Sequence, residues 1–171
     1  SFCKYSKSKY AVAVSNCTAA LHLSLMALGI GKDDEVIIPD LTFVADANAV
    51  LACNAKPVVA DINKENFFLS ISNVKKNITK KTKAIIPVHI YGQVCNIKEI
   101  LDLAKDNDLK VVEDCAHAVG TFYKSKHVGT LGNTGCFSFY PTKNITTAEG
   151  GMVTTNSKEI AEKVRQLRSH G

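Results

Sequence analysis

Apolar positions along the chain gather into short runs, and the longer stretches between them repeat with helical period. The runs read as strands at Tyr10 to Val14, Glu35 to Ile38, Pro57 to Asp61, Ala84 to His89, Lys110 to Glu113, Cys136 to Tyr140 and Met152 to Thr155. Several are continuously apolar, as strands covered on both faces must be. Between them, helical patterns cover Thr18 to Leu28, with Leu21, Leu25 and Leu28 on one stripe, Phe43 to Cys53, Ser70 to Ile78, Ile97 to Lys105 and Lys158 to Arg168. Strands alternating with helices of this length predict βαβ units around a mainly parallel sheet. Ligands of such sheets collect beyond the carboxyl ends of the strands, so the residues that follow each strand are the candidates for chemistry.

Composition narrows the class. With 171 residues, 46% hydrophobic and 22% charged, 10 Gly and 4 Pro, the chain suits one α/β domain and excludes disorder or a collagen-like structure. Six cysteines are scattered without a C-x-x-C pair, so neither a zinc site nor a disulfide framework is signalled. Cys53, Cys115 and Cys136 read as small buried hydrophobes in a reducing compartment, which predicts a cytoplasmic protein. Lys4, Lys7 and Lys9 before the apolar run Ala11 to Ile30 mimic a signal peptide, but Ser15, Asn16, Thr18 and His22 interrupt it where a helix cap is expected. No membrane partner is therefore predicted. The net charge of +5 is spread out, densest at Lys80, Lys81 and Lys83, with no Trp and no Arg before Arg165. A nucleic-acid binder would interleave a basic face with aromatics, so no nucleic acid is expected and the patch reads as solvated surface. His22, His89 and His127 have no metal-ligand spacing; His22 reads as a packing residue and His89 as a structural hydrogen-bonder near the pocket.

Three strand ends carry candidate chemistry. Ser15-Asn16-Cys17-Thr18-Ala19 is a polar turn opening into a helix, where free N–H groups and the helix dipole favour an anion. Asn16 or Thr18 also suits a simple N-cap. Neither a P-loop nor a G-x-G-x-x-G motif occurs. Val111-Val112-Glu113-Asp114-Cys115-Ala116-His117 places two carboxylates and an imidazole after an apolar strand, and a buried acid there needs a cationic partner to stay ionised. Gly135 to Lys143 ends a strand with a single lysine before the segment Asn144 to Gly151. A lysine partly desolvated between those segments becomes available for carbonyl chemistry. An anion-binding helix start, a strand-end Asp and such a Lys together match the demands of pyridoxal phosphate.

The segments AVAVSNCTAALHL, GKDDEVIIPDLTFVADANAV, KAIIPVHIYG, VVEDCAHAVG, GCFSFYPTKNITTAEGGMVTTN and the closing LRSHG cover essentially the whole chain in order. In these the chain resembles the sugar-nucleotide aminotransferases of fold type I, the DegT-like group that includes the perosamine synthases. The resemblance implies a three-layer α/β sandwich, the cofactor-binding large domain, over residues 1–171. It implies pyridoxal 5'-phosphate as cofactor, Lys143 as the lysine that binds it covalently, and Asp114, 29 residues earlier, as partner of the pyridine nitrogen. It further implies that His117 contacts the phenolic oxygen and Phe43 stacks on the ring. Ser138 and the backbone at Thr18 and Ala19 hold the phosphate.

The implied reaction moves an amino group, from glutamate by the same resemblance, to a keto sugar linked to a nucleotide, for surface polysaccharide or amino-sugar biosynthesis. The implied state is a homodimer. Cys17 stands where many members have Gly, Ala148 where G-E-G-G is commoner, and Asp46 where Thr is usual. Family members are about twice as long, so the chain reads as a fragment that lacks the extreme N-terminal start and the C-terminal small domain. Two alternatives remain: another fold type I enzyme such as an amino-acid lyase, sharing Lys143 and Asp114, and a non-catalytic truncated domain. Glu113 is the alternative acid should Asp114 not be the pairing residue.

Overall fold

A computed structural model describes residues 2–170; Gly171, last of the LRSHG segment, lies outside them. The chain forms a helix α1 (Phe2–Ser6), strand β1 (Tyr10–Val14), α2 (Cys17–Ala27), β2 (Glu35–Pro39), α3 (Ala45–Ala52), β3 (Lys56–Ala60), α4 (Ile71–Asn77) and β4 (Thr82–Ile85). After a 3₁₀ turn at Ile90–Gly92 come α5 (Ile97–Asp106), β5 (Lys110–Asp114), the hairpin β6 (Phe122–Tyr123) and β7 (Lys126–His127), β8 (Thr134–Ser138), β9 (Gly151–Thr155) and α6 (Lys158–Leu167). Seven strands form one sheet in the order β1-β9-β8-β5-β4-β2-β3. Pairings from β3 to β8 are parallel, and β9 runs antiparallel to both of its neighbours, β1 and β8. Six strands therefore point the same way, as the mainly parallel expectation requires.

Period-two alternation within each strand feeds two separate cores. Val36, Ile38, Ala84, Ile86, Val112 and Cys136 pack with α2, α3 and α6 on one face. Ile37, Ile85 and Val111 pack with α4 and α5 on the other, beside Phe68 and Leu69. Phe137 and Phe139 extend that second face, where Phe2 of α1 meets both rings. These are the three layers of an αβα sandwich. Helix α2 is buried almost all round, at Cys17, Ala20, Leu21, Leu23, Ser24, Leu25 and Ala27, rather than along one stripe. Leu28, expected on the stripe, is its C-cap.

Several boundaries move for local reasons. The fourth strand was expected to reach His89 but regular pairing stops at Ile85, because Pro87 has no N–H to give the ladder. Asp114 N–H still donates to Pro87 O at 2.9 Å and His89 N–H to Asp114 O at 3.0 Å, so the chain continues alongside β5 irregularly. The next-to-last strand runs Thr134–Ser138 rather than Cys136 to Tyr140. Helix α3 starts at Ala45, leaving Phe43 in the preceding loop. No helix among the described residues is long and apolar enough to cross a membrane. Lys80, Lys81 and Lys83 are exposed at the amino end of β4, the end of the sheet opposite the strand-end candidates.

Candidate active site

The carboxyl ends of β1, β2, β4, β5 and β8 open on one cavity of about 770 Å³. Thr18, Phe43, Asp114, His117, Ser138 and Lys143 all line it; Ala19, the other anticipated residue, does not. Asn16 is the N-cap of α2, and its side chain accepts the Ala19 N–H at 2.9 Å, so that amide is satisfied within the helix start. Cys17 and Thr18 are the first-turn residues that face the cavity. The turn is held against the sheet by Gly151, where a Cβ would lie 2.4 Å from the Asn16 carbonyl. Gly151 pairs with Val14 on one side and Ser138 on the other, which brings Ser138 across from the end of β1.

Glu113 and Asp114 are successive residues of one strand and so face opposite sides. Glu113 is fully buried away from the cavity, where Oε1 accepts the Leu131 and Gly132 N–H groups at 2.8 and 2.7 Å. Its Oε2 accepts the Gly129 N–H at 2.9 Å and meets His89 Nε2 at 3.0 Å. Cys95 N–H points at His89 Nδ1, 3.3 Å away, so Nε2 carries the ring proton and donates it to Glu113. His89 is thus the structural hydrogen-bonder that the sequence suggested. His89, Glu113 and Cys115 lie close enough together to ligate a metal, but these hydrogen bonds occupy both the carboxylate and the imidazole. Glu113 is no substitute for Asp114.

Asp114 keeps its carboxyl at the cavity, with Oδ1 accepting the Ala116 N–H at 2.8 Å. Burial raises its pKa, against the Ala116 bond and the Lys143 charge. Lys143 follows β8 by five residues in a turn closed by its own N–H to Tyr140 O at 3.0 Å, rather than ending the strand itself. Pro141 sits at the second position of that turn, where its fixed φ fits. Lys143 is half-buried and, among the described residues, makes no ion pair.

His117 is stacked on Tyr91 with ring centroids 6.0 Å apart, and its Nδ1 receives the Tyr91 N–H at 3.4 Å. Burial and the Lys143 charge lower its pKa, so the ring is neutral at physiological pH. Phe43 is 74% exposed and Tyr91 70%, both at the cavity mouth, and Tyr91 has φ 54°. A non-glycine residue in that conformation marks stored strain of about 1–3 kcal/mol, a common companion of functional sites.

Tyr91, Thr42, Tyr140 and Glu149 also line the cavity and were not anticipated. Their only sequence signal was position after or before a strand end, which many surface residues share. The cysteines are all free, and burial pushes the Cys17, Cys115 and Cys136 thiols up and Cys53 to about 11, which removes them as nucleophiles.

An anion turn, an enclosed acid and an unpaired lysine around one cavity are what an enzyme handling a phosphorylated, cationic, carbonyl-bearing group requires. The chain belongs to the DegT/DnrJ/EryC1/StrS aminotransferase family, whose model matches residues 1–171. It is 49% identical over 170 residues to GDP-perosamine synthase of Caulobacter vibrioides, a match covering 99% of this chain and 46% of that enzyme. The aminotransferase from Psychrobacter cryohalolentis superposes with a TM-score of 0.97 at 40% identity, over 99% of this chain and 43% of that one. NtdA from Bacillus subtilis, solved with bound cofactor PMP, gives 0.93 at 34% identity, over 99% and 38%. The chain thus spans a little under half the length of the curated relatives it matches.

Proposed function

We propose that this chain is the cofactor-binding large domain of an enzyme that moves an amino group from an amino acid, glutamate by the family resemblance, to a keto sugar linked to a nucleotide. Pyridoxal 5'-phosphate is the proposed cofactor, and amino-sugar or surface-polysaccharide synthesis the proposed purpose. The observation that carries the reading is the meeting of Asp114, Lys143 and the amino end of α2 at one cavity. Desolvation makes Asp114 costly as an anion, and a protonated ring nitrogen beside it offsets that cost. The first turn of α2, with Ser138 opposite, offers donors for a phosphate. The similarity to GDP-perosamine synthase supports the sugar-nucleotide class.

When bound, the cofactor supplies a carbonyl that amines capture and a ring that accepts electrons from the captured carbon. The chain's residues do the rest. Lys143 would hold the cofactor through its amine and, once free of it, would take the proton from the donor's α-carbon and pass it to the cofactor carbon, the shift that moves the amino group. Asp114 would hold the ring nitrogen protonated. His117, neutral and oriented by Tyr91, would donate from Nε2 towards the ring oxygen. Phe43 at the mouth would cover the ring, and Thr18 and Ser138 would hold the phosphate; Ala19 would join them only if Asn16 released its amide.

Leu41, Phe43, Tyr91 and Tyr140 are exposed where they line the cavity, and this apolar rim supports a homodimer closing over it in the full protein. Six free thiols favour a reducing cytoplasm. The test is the full-length protein with pyridoxal phosphate and glutamate, assayed for amino transfer to keto-sugar nucleotides, with ultracentrifugation in parallel. Elimination chemistry on amino acids with no sugar amination would overturn the reading in favour of a lyase.

A further inference from the structure

Behind the Asp114 wall of the cavity lies a second acid with no accounted partner. Asp46, in the first turn of α3, is 0% exposed. Its Oδ2 accepts the Thr42 hydroxyl at 2.5 Å, whereas Oδ1 is buried with no hydrogen-bond partner. Among the described residues no lysine, arginine or histidine forms an ion pair with it. The titratable groups that face it from the packed elements are Asp114 on β5, Cys17 on α2 and Cys136 on β8, none of them cationic. The Asp46 and Asp114 side chains lie within hydrogen-bonding reach of each other. Two carboxylates only repel, so such a contact needs a proton on one of them.

We propose that Asp46 is a proton-bearing positioning residue, which donates a hydrogen bond from Oδ1 to the Asp114 carboxylate and fixes that carboxylate at the cavity. The proton belongs on Asp46 because the two environments differ. Asp114 already accepts the Ala116 N–H and faces the Lys143 ammonium, both of which favour its charged form. Asp46 has only the Thr42 hydroxyl in favour of its charge, while full burial and the neighbouring Asp114 charge raise its pKa well above the ordinary value. The orphan oxygen then has a role, and the pair carries one negative charge instead of two. What the pair does for the cofactor rests on the reading of Asp114 given above; the pair itself does not.

The test uses the full chain without added cofactor. Infrared difference spectra at pH 7 should show the carbonyl stretch of a protonated carboxyl, lost in D46N. In ¹³C NMR of labelled aspartate, Asp114 should titrate at about the same pH in D46N, whose amide still donates, as in the wild type. In D46V, which has no donor, it should titrate about 1–2 pH units higher, a tenfold to hundredfold weaker hold on its charge. Absence of the band from the wild type, its survival in D46N, or an unchanged Asp114 titration in D46V overturns the proposal. Pyridoxal phosphate absorbance in the same samples tests the cofactor separately: failure to bind it would sink that assignment while leaving the infrared result to decide Asp46.

Discussion

Replacing Glu113 by glutamine should unfold the protein more readily while leaving the cavity's chemistry in place. The carboxylate takes three backbone N–H groups and His89 on its two oxygens, all in a fully buried position. Glutamine keeps one acceptor oxygen and turns the other into a donor. If the amide nitrogen takes the place of Oε1, Leu131 and Gly132 lose their acceptor; if that of Oε2, Gly129 and His89 do. His89 has no escape through its other tautomer, because Nδ1–H would then face Cys95 N–H. Each orphaned buried donor costs about 1–3 kcal/mol, so two of them with partial relaxation cost roughly 3–5 kcal/mol. For a domain of this size that lowers the melting temperature by about 6–20 °C. Thermal circular dichroism of wild type and E113Q, both without cofactor, measures it. Asp114→Asn serves as the comparison, since its amide still accepts the Ala116 N–H and it should melt within about 1 kcal/mol of wild type. An E113Q protein that melts within about 2 °C of wild type would falsify the assignment of Glu113 as the loop's anchor.

Asp114→Asn should retain cofactor yet lose most turnover; near-normal amino transfer by this variant would remove Asp114 from its proposed role. Lys143→Ala should abolish borohydride-trapped cofactor, and it should also raise the pKa of His117, since the Lys143 charge helps hold that ring neutral. A ¹H NMR titration reads the second effect, and an unmoved His117 would show that burial alone sets it. The sign for stability follows: a depressed histidine pKa stabilises the fold above the free-histidine range, and the contribution is lost as pH falls through the lowered value. Ala148, at φ 66°, pays a left-handed penalty that glycine avoids, so Ala148→Gly should gain about 0.5–1 kcal/mol after its greater unfolded-state freedom is counted. Urea denaturation decides that, and a loss of stability would mean the side chain is needed.

Strands and helices were legible because burial on both faces leaves continuous apolar runs, as at Val36 to Ile38 and Ala84 to Ile86. Their ends were less so. Pro87 cuts the ladder without ending the path of the chain, and Phe43 is apolar like a helix residue but belongs to the cavity mouth. Five short elements, α1, the 3₁₀ turn, β6, β7 and the Lys143 turn, carry too few residues to show a period. Among candidate site residues, those at strand ends were readable from position, and the resemblance supplied their roles. Asp46 was not readable: an acid in a helix's first turn is ordinary on a surface, and only the packing of α3 against α2 and the sheet buries it. Glu113 and Asp114 were indistinguishable as neighbours in the sequence, and the pleat alone separates them.

β9 is the last strand in the chain, yet it sits inside the sheet between β1 and β8. Those two strands pair with β9 and not with each other, and the Asn16 turn rests on Gly151 at the head of β9. The amino end of α2, synthesised well before β9, therefore reaches its working geometry only after residues 151–155 have paired between strands made long before. Closure over so great a separation in sequence is among the slower events of folding. Anion affinity at this turn is accordingly a reporter of completed folding, appearing after helical signal and core burial are already present.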